Sequence, residues 1–137
     1  MRQPVTDAVV QWLRDQGHQL TLIGPLVDGD DTEWAEASAA TARAVTSGDA
    51  DVGVLFCWSG TGACIAANKV QGARAALCAD AETARLARKY NHANLLVMSM
   101  RATSPAVAVE TTGAFLTAPW GEDDFDIRNV RVVDGLA

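Results

Sequence analysis

The sequence predicts one three-layer α/β/α sandwich built on a mainly parallel sheet. Strand-like and helix-like segments alternate along the chain, which is the pattern of a parallel sheet with crossover helices. Residues 52–57 form a near-continuous apolar run, as expected of a strand buried on both faces. That run passes through a glycine-punctuated turn straight into a helical pattern. The 137 residues are enough for one domain that buries about two-thirds of its unfolded surface. No internal repeat or low-complexity linker divides residues 1–137.

Each element follows from its own pattern. Residues 7–16 place Ala8, Val9, Trp12 and Leu13 on one helical face, and Gly17 can stop that helix. Residues 18–23 read as a short strand closed by Gly24-Pro25, followed by an acidic loop at 28–31. Residues 32–46 are Ala-rich and helical and end at Ser47-Gly48. After the strand at 52–57 a helix runs to about Lys69, then come a strand at 74–78, a helix at 81–90 and a strand at 95–99. Residues 104–116 read as the last long helix, with Pro105 suited to its first turn. The tail beyond Pro119 is acidic and then carries Arg128 and Arg131.

Composition narrows the function. A net charge of −6 with scattered Lys and Arg offers no basic patch for nucleic acid or an anionic membrane. No apolar run approaches the roughly 18 residues of a membrane span, and no charged-then-apolar leader opens the chain. Three cysteines without paired spacing suit reduced thiols in a cytoplasm, and no CxxC or His cluster suggests a metal. Cys64 and Cys78 read as core residues, Lys69 and Arg74 as structural charges, and the Trp and Met residues as packing.

Chemistry concentrates at Cys57-Trp58-Ser59-Gly60-Thr61-Gly62. A strand feeding a glycine-rich turn and a helix N-terminus presents backbone N–H groups to an anion. Cys57 stands beside those amides, and a thiol of ordinary pKa about 8.5 is more readily ionised there. Two readings fit: an acid/base or nucleophilic cysteine, or a buried strand-end cysteine of the kind common in cores. The glycines likewise serve a tight turn, an oxyanion site, or both.

The stretch from Gly53 through Cys57, Ser59-Gly60-Thr61-Gly62 and Ile65-Ala66-Ala67-Asn68-Lys69 resembles the signature of the ribose-5-phosphate isomerase B and galactose-6-phosphate isomerase family. The likeness continues through residues 70–78 and 84–91, and covers residues 48–101 best. It implies a Rossmann-like fold, no cofactor, a sugar-phosphate substrate, and a homodimer or higher homo-oligomer with sites shared between subunits. The implied reaction is aldose–ketose isomerisation through a cis-enediolate, by default ribose 5-phosphate to ribulose 5-phosphate. Cys57 matches the family's catalytic cysteine, Ser59 a hydroxyl that handles substrate oxygens, and Gly60, Thr61 and Gly62 the enediolate donors. Asn91 keeps the family identity and is expected to bind substrate, Glu33-Trp34 falls where the family has Asp-Tyr, and Arg101 follows the fourth apolar strand as a family arginine does. Arg128 and Arg131 lie where family arginines reach into a neighbouring subunit's site to hold phosphate, a task suited to a planar fork of donors.

Four departures accompany the likeness. The family opens with a strand ending in an Asp-His pair, whereas only Met1-Arg2-Gln3-Pro4 precedes Val5 here. The expectation is a sheet without its first strand and with a groove or exposed edge in its place, either because the true product is longer or because this variant fills the gap differently. Trp58 replaces a glycine and would narrow or reshape the pocket mouth. Tyr90 replaces the histidine associated with ring opening, and a phenol of pKa near 10 is a poorer shuttle at neutral pH. His92, two residues on, is the substitute if its loop turns inward. The Glu122-Asp123-Asp124 segment before the arginines is unusual for the family. The absent Asp-His strand, Trp58 and Tyr90 together leave a non-catalytic binder of a phosphosugar or partner as one rival to the default reaction, and the retained Cys57 in an altered pocket leaves an enzyme for a different, modified sugar as another.

Overall fold

A computed structural model describes residues 2–136. Helix α1 (Pro4–Asp15) opens the chain, with Pro4 in the first turn, where its missing N–H costs nothing. Gln3 and Thr6 close that end reciprocally: the Gln3 amide donates to Thr6 Oγ1 at 3.0 Å, and the Thr6 hydroxyl donates to the Gln3 carbonyl at 2.8 Å. Then follow α2 (Trp34–Thr46), β1 (Gly53–Cys57), α3 (Thr61–Asn68), β2 (Ala75–Leu77), α4 (Ala81–Asn91), β3 (Leu95–Ser99), α5 (Pro105–Thr117) and α6 (Asp124–Asp134).

Among the described residues three strands form one parallel sheet in the order β1-β3-β2, with Gly53 opposite Leu95 and Cys57 opposite Ser99. The period of two along each strand divides the core. Leu55, Leu95 and Val97 face a cluster completed by Ala42 of α2 and Ala63 and Ala67 of α3. Leu96 and Met98 face the opposite cluster, with Val5, Val9 and Leu13 of α1, Ala84 and Ala87 of α4, and Phe115 of α5. Small residues on α2 and α3 let those helices sit close to the sheet.

Two expectations need correction. Residues 18–23 form no strand. Their only backbone bond among the described residues runs from the His18 amide to the Leu13 carbonyl, closing α1, and β1 pairs with β3 alone. A strand exists only as part of a ladder, and among the described residues no strand lies on β1's other side for the segment to pair with. Leu20 still packs against the core, which accounts for the strand-like pattern. Conversely, residues 104–116 are not the last long helix, because α6 follows at Asp124–Asp134. Asp123 caps α6 by accepting the Phe125 amide at 2.9 Å, so the unusual acidic run is a helix start.

Candidate active site

β1 ends at Cys57, half-buried, and the chain turns through Trp58-Ser59-Gly60 into α3. The turn is held from β3: the Met100 amide donates to the Cys57 carbonyl at 2.9 Å and the Arg101 amide to the Trp58 carbonyl at 3.1 Å. Ser99 adds a third tie, its hydroxyl donating to the Trp58 carbonyl at 2.9 Å while accepting the Ala102 amide at 3.2 Å. Ser99 was not singled out from sequence. Its signal is the register that sets it beside Cys57, and register appears only once the strands are paired.

Gly60 caps α3 with φ +87°, and a Cβ there would lie 2.5 Å from Leu77 Cδ1. Both the left-handed backbone and the close contact call for glycine. The first intrahelical bond of α3 is from the Cys64 amide to the Gly60 carbonyl, so among the described residues the amides of Ser59 to Ala63 have no protein acceptor. Ser59 and Thr61 hydroxyls lie 2.9 Å apart at the surface of this turn. Trp34, first residue of α2, lies over Gly62, where a Cβ would meet the indole Cζ3 at 2.9 Å. Thus Glu33, Trp34, Cys57, Ser59, Gly60, Thr61 and Gly62 gather at the end where the strands finish, and Arg101 joins them through its backbone. A thiol, two hydroxyls and a fan of free amides at a positive helix end can hold an anion and move a proton beside it.

Tyr90 and Asn91 are elsewhere. They end α4, just before β3 starts, at the end of the sheet where the strands begin. Both are exposed, and the Lys89 ammonium lies 5.0 Å from the Tyr90 ring centroid. They border an open cavity of about 260 Å³ with Arg74, Asn68 and the α6 residues Asn129 and Val130. Arg128 and Arg131 project from the same α6, exposed and in no ion pair among the described residues. A single chain therefore does not bring Tyr90, Asn91, Arg128 or Arg131 to Cys57.

His92 is not a free substitute for the missing ring-opening histidine. It caps α4 with φ 48°, its ring stacks on Trp120 at 4.8 Å, and its Nε2 lies 2.9 Å from the Gly121 carbonyl. Arg74 is structural, as read from sequence, pairing with Asp134 at 2.7 Å. Cys78 is buried and its thiol is pushed up to about 11, first by burial and then by Asp80. Cys64 is half-buried, its thiol donating toward the Ala75 carbonyl at 3.5 Å, and burial raises its pKa too. Trp12 packs against the core as expected, whereas Trp34, Trp58 and Trp120 lie outside it and are 56%, 62% and 43% exposed. Among the described residues no three His, Cys, Asp or Glu side chains gather as a metal site, and no helix is long and apolar enough to cross a membrane.

The chain matches the ribose/galactose isomerase family over residues 3–134. It belongs to that family. The match spans both the Cys57 turn and the α4 and α6 residues, so the two separated groups fall within one family unit. Among isomerase relatives, ribose-5-phosphate isomerase B of Mycobacterium tuberculosis is 38% identical over 130 residues, covering 94% of this chain and 78% of that protein. The D-erythrulose-4-phosphate isomerase of Pectobacterium atrosepticum is 34% identical over 112 residues, covering 82% of this chain and 74% of that protein. The type B ribose 5-phosphate isomerase structure from Trypanosoma brucei superposes with a TM-score of 0.88 at 37% identity, covering 96% of this chain and 89% of that one. The α/β/α architecture is thus the isomerase fold, and the protein is an isomerase of this family.

Proposed function

We propose that this isomerase interconverts an aldose phosphate and a ketose phosphate, with ribose 5-phosphate and ribulose 5-phosphate as the default pair. The reading is carried by one observation: Cys57 closes β1 directly beside the unpaired amides that open α3. Cys57 as thiolate takes the proton from C2 of the open-chain aldose, and the electron pair moves into the C1 carbonyl to give the enediolate. The amides of Gly60, Thr61 and Gly62 and the Ser59 hydroxyl stabilise that oxygen charge. The Cys57 thiol then returns its proton to C1, while a proton passes from O2 to O1 and the ketose carbonyl forms at C2. No cofactor enters these steps.

The remaining groups are supplied by a second copy. Tyr90 of the partner subunit assists ring opening by hydrogen bonding, Asn91 of the partner subunit binds a substrate oxygen, and Arg128 and Arg131 of the partner subunit hold the phosphate. The separation of these residues from Cys57 along the sheet supports a homodimer with shared sites. Glu33 and Trp34 line the near wall. Three free thiols fit a reducing cytoplasm.

A second reading draws on Trp58, whose indole is exposed beside Cys57 where the family has glycine, and on the similarity to a four-carbon D-erythrulose-4-phosphate isomerase. On that reading the chemistry is the same and the sugar differs. The deciding experiment is conversion of ribose 5-phosphate by the purified protein, with Cys57→Ala beside it and D-erythrulose 4-phosphate as the alternative substrate. Turnover of ribose 5-phosphate that disappears in a folded Cys57→Ala protein supports the default pair. Turnover of the four-carbon phosphate alone moves the assignment to the second reading, and turnover of neither by folded protein overturns both.

A further inference from the structure

Helix α6 has little apolar anchorage of its own. Val130 is its one buried residue, whereas Phe125, Val132 and Val133 are 65%, 62% and 49% exposed. An isolated helix of 11 residues is marginal in water, so its place against the domain depends on contacts outside its own face. Those contacts converge on the turn between α5 and α6, and above all on Trp120.

The Trp120 indole stacks on His92 with an interplanar angle of 5° and donates from Nε1 to the Ala93 carbonyl at 3.4 Å. The guanidinium carbons of Arg74 and Arg88 each lie 5.3 Å from the Trp120 ring centroid. Two cations on one ring gain from its quadrupole, which offsets part of the cost of bringing them together. The charges are further engaged by carbonyls: Arg88 donates to Ala93 at 2.7 Å and to Ala118 at 3.3 Å, and Arg74 donates to His92 at 2.8 Å. The next residue continues the contact. The Gly121 amide donates to the Lys89 carbonyl at 2.9 Å, and a Cβ at Gly121 would lie 2.6 Å from that same oxygen. Because a carbonyl only accepts, His92 Nε2 carries a hydrogen in its pairing with Gly121. Arg74 then reaches the far end of α6 through Asp134. Arg128 and Arg131 lie between these two anchors, and Tyr90 and Asn91 lie on the α4 end to which the anchors attach.

We propose that Trp120 is a positioning residue: through Arg74, Arg88 and His92 it clasps α6 to the end of α4, fixing Arg128 and Arg131 relative to Tyr90 and Asn91. The consequence for phosphate binding rests on the reading that those arginines hold the substrate phosphate, while the clasp itself does not. Arg88 makes the arrangement costly to leave half-formed, since burial and then the neighbouring Arg74 charge already lower its pKa.

The test compares Trp120→Ala and Trp120→Phe in the full chain by amide hydrogen exchange and by kinetics. In Trp120→Ala the α6 amides should exchange at least about tenfold faster while those of β3 stay unchanged, and Trp120→Phe should restore most of the protection. KM for ribose 5-phosphate should rise about fivefold or more in Trp120→Ala, with kcat within about twofold and recovery in Trp120→Phe. Unchanged α6 exchange, equal loosening of β3, or a loosened α6 with unchanged KM each overturn the proposal. Should the unsubstituted protein not convert ribose 5-phosphate, inorganic phosphate titrations followed by thermal shift take the place of KM. A fivefold or greater loss of phosphate affinity in Trp120→Ala supports the positioning role, in line with the KM expectation. Equal affinity, or no phosphate binding by the unsubstituted protein, overturns the link to the arginines whatever the exchange shows.

Discussion

Cys57 ends β1 and Asn91 ends the helix that leads into β3, so the two stand at opposite ends of one parallel sheet. The four steps from Gly53 to Cys57 alone span about 13 Å at the usual rise per residue. No side-chain rotation closes that gap within one chain. The expected outcome is complementation: Cys57→Ala and Asn91→Ala proteins, each inactive alone, regain turnover when unfolded together and refolded as a mixture. In a two-fold dimer half the mixed molecules pair the two variants and each has one intact site, so about a quarter of the unsubstituted activity returns. Recovery is read as initial rate at fixed total protein. A mixture as inactive as its parents would overturn the shared site.

The sheet and its helices were legible because their signals are local. Residues 52–57 and 95–99 are apolar runs with turn residues after them, and both are strands with the boundaries near where the pattern puts them. The failures were all matters of partnership. Residues 18–23 have a strand's composition but no strand beside them among the described residues, and the acidic tail that follows the helix at 104–116 forms a further helix, α6, capped by Asp123. The site divides in the same way. The Cys57 turn is contiguous in sequence and could be read as one unit, whereas Ser99 supports it only through parallel register. His92 looked available because sequence shows a histidine beside Tyr90 and not the Trp120 ring stacked on it from 28 positions away.

The three thiols differ enough in environment to be told apart chemically. Alkylation needs the thiolate, and burial favours the neutral thiol. With its pKa pushed up to about 11, Cys78 is ionised in roughly one molecule in a thousand at pH 8, in addition to being enclosed. Cys64 is shifted in the same direction by burial, while the amide of Leu77 and the side chain of Asn68 work against that shift. Iodoacetamide at pH 8 should therefore modify Cys57 first, with turnover lost in step, and leave Cys78 unmodified until the protein unfolds. Peptide mass spectrometry over time checks this. Labelling of Cys78 as fast as Cys57 in folded protein would sink the ranking.

Gly60 should accept a side chain only at a cost to both stability and turnover. Its φ of +87° is in the left-handed region, and the nearest obstacle to a Cβ is the end of a flexible Leu77 side chain. The leucine can move aside, so the backbone conformation sets most of the cost, about 1–3 kcal/mol. Relief of that strain would turn the amides of residues 60–62 away from their shared direction. Gly60→Ala should thus lower the melting temperature by several degrees and reduce kcat by more than about tenfold, while Gly48→Ala, with the same sign of φ in an open loop, lowers stability alone. Calorimetry and steady-state rates on both variants separate the two effects. Full turnover in Gly60→Ala would remove the amides of this turn from the mechanism.

Trp58 is the residue expected to govern which sugar phosphate is accepted. Its carbonyl is fixed by Ser99 and by the Arg101 amide, yet the residue is 62% exposed and supports little of the core. Trp58→Gly should consequently cost no more than about 1 kcal/mol, mainly the added freedom of glycine in the unfolded chain. If the indole narrows the mouth of the site, removing it should raise kcat/KM for ribose 5-phosphate relative to D-erythrulose 4-phosphate by roughly three- to tenfold. The ratio of the two specificity constants is the quantity to measure, because it cancels any loss of folded protein. A ratio that stays constant while both constants fall together would mean that Trp58 supports the turn and does not select the substrate.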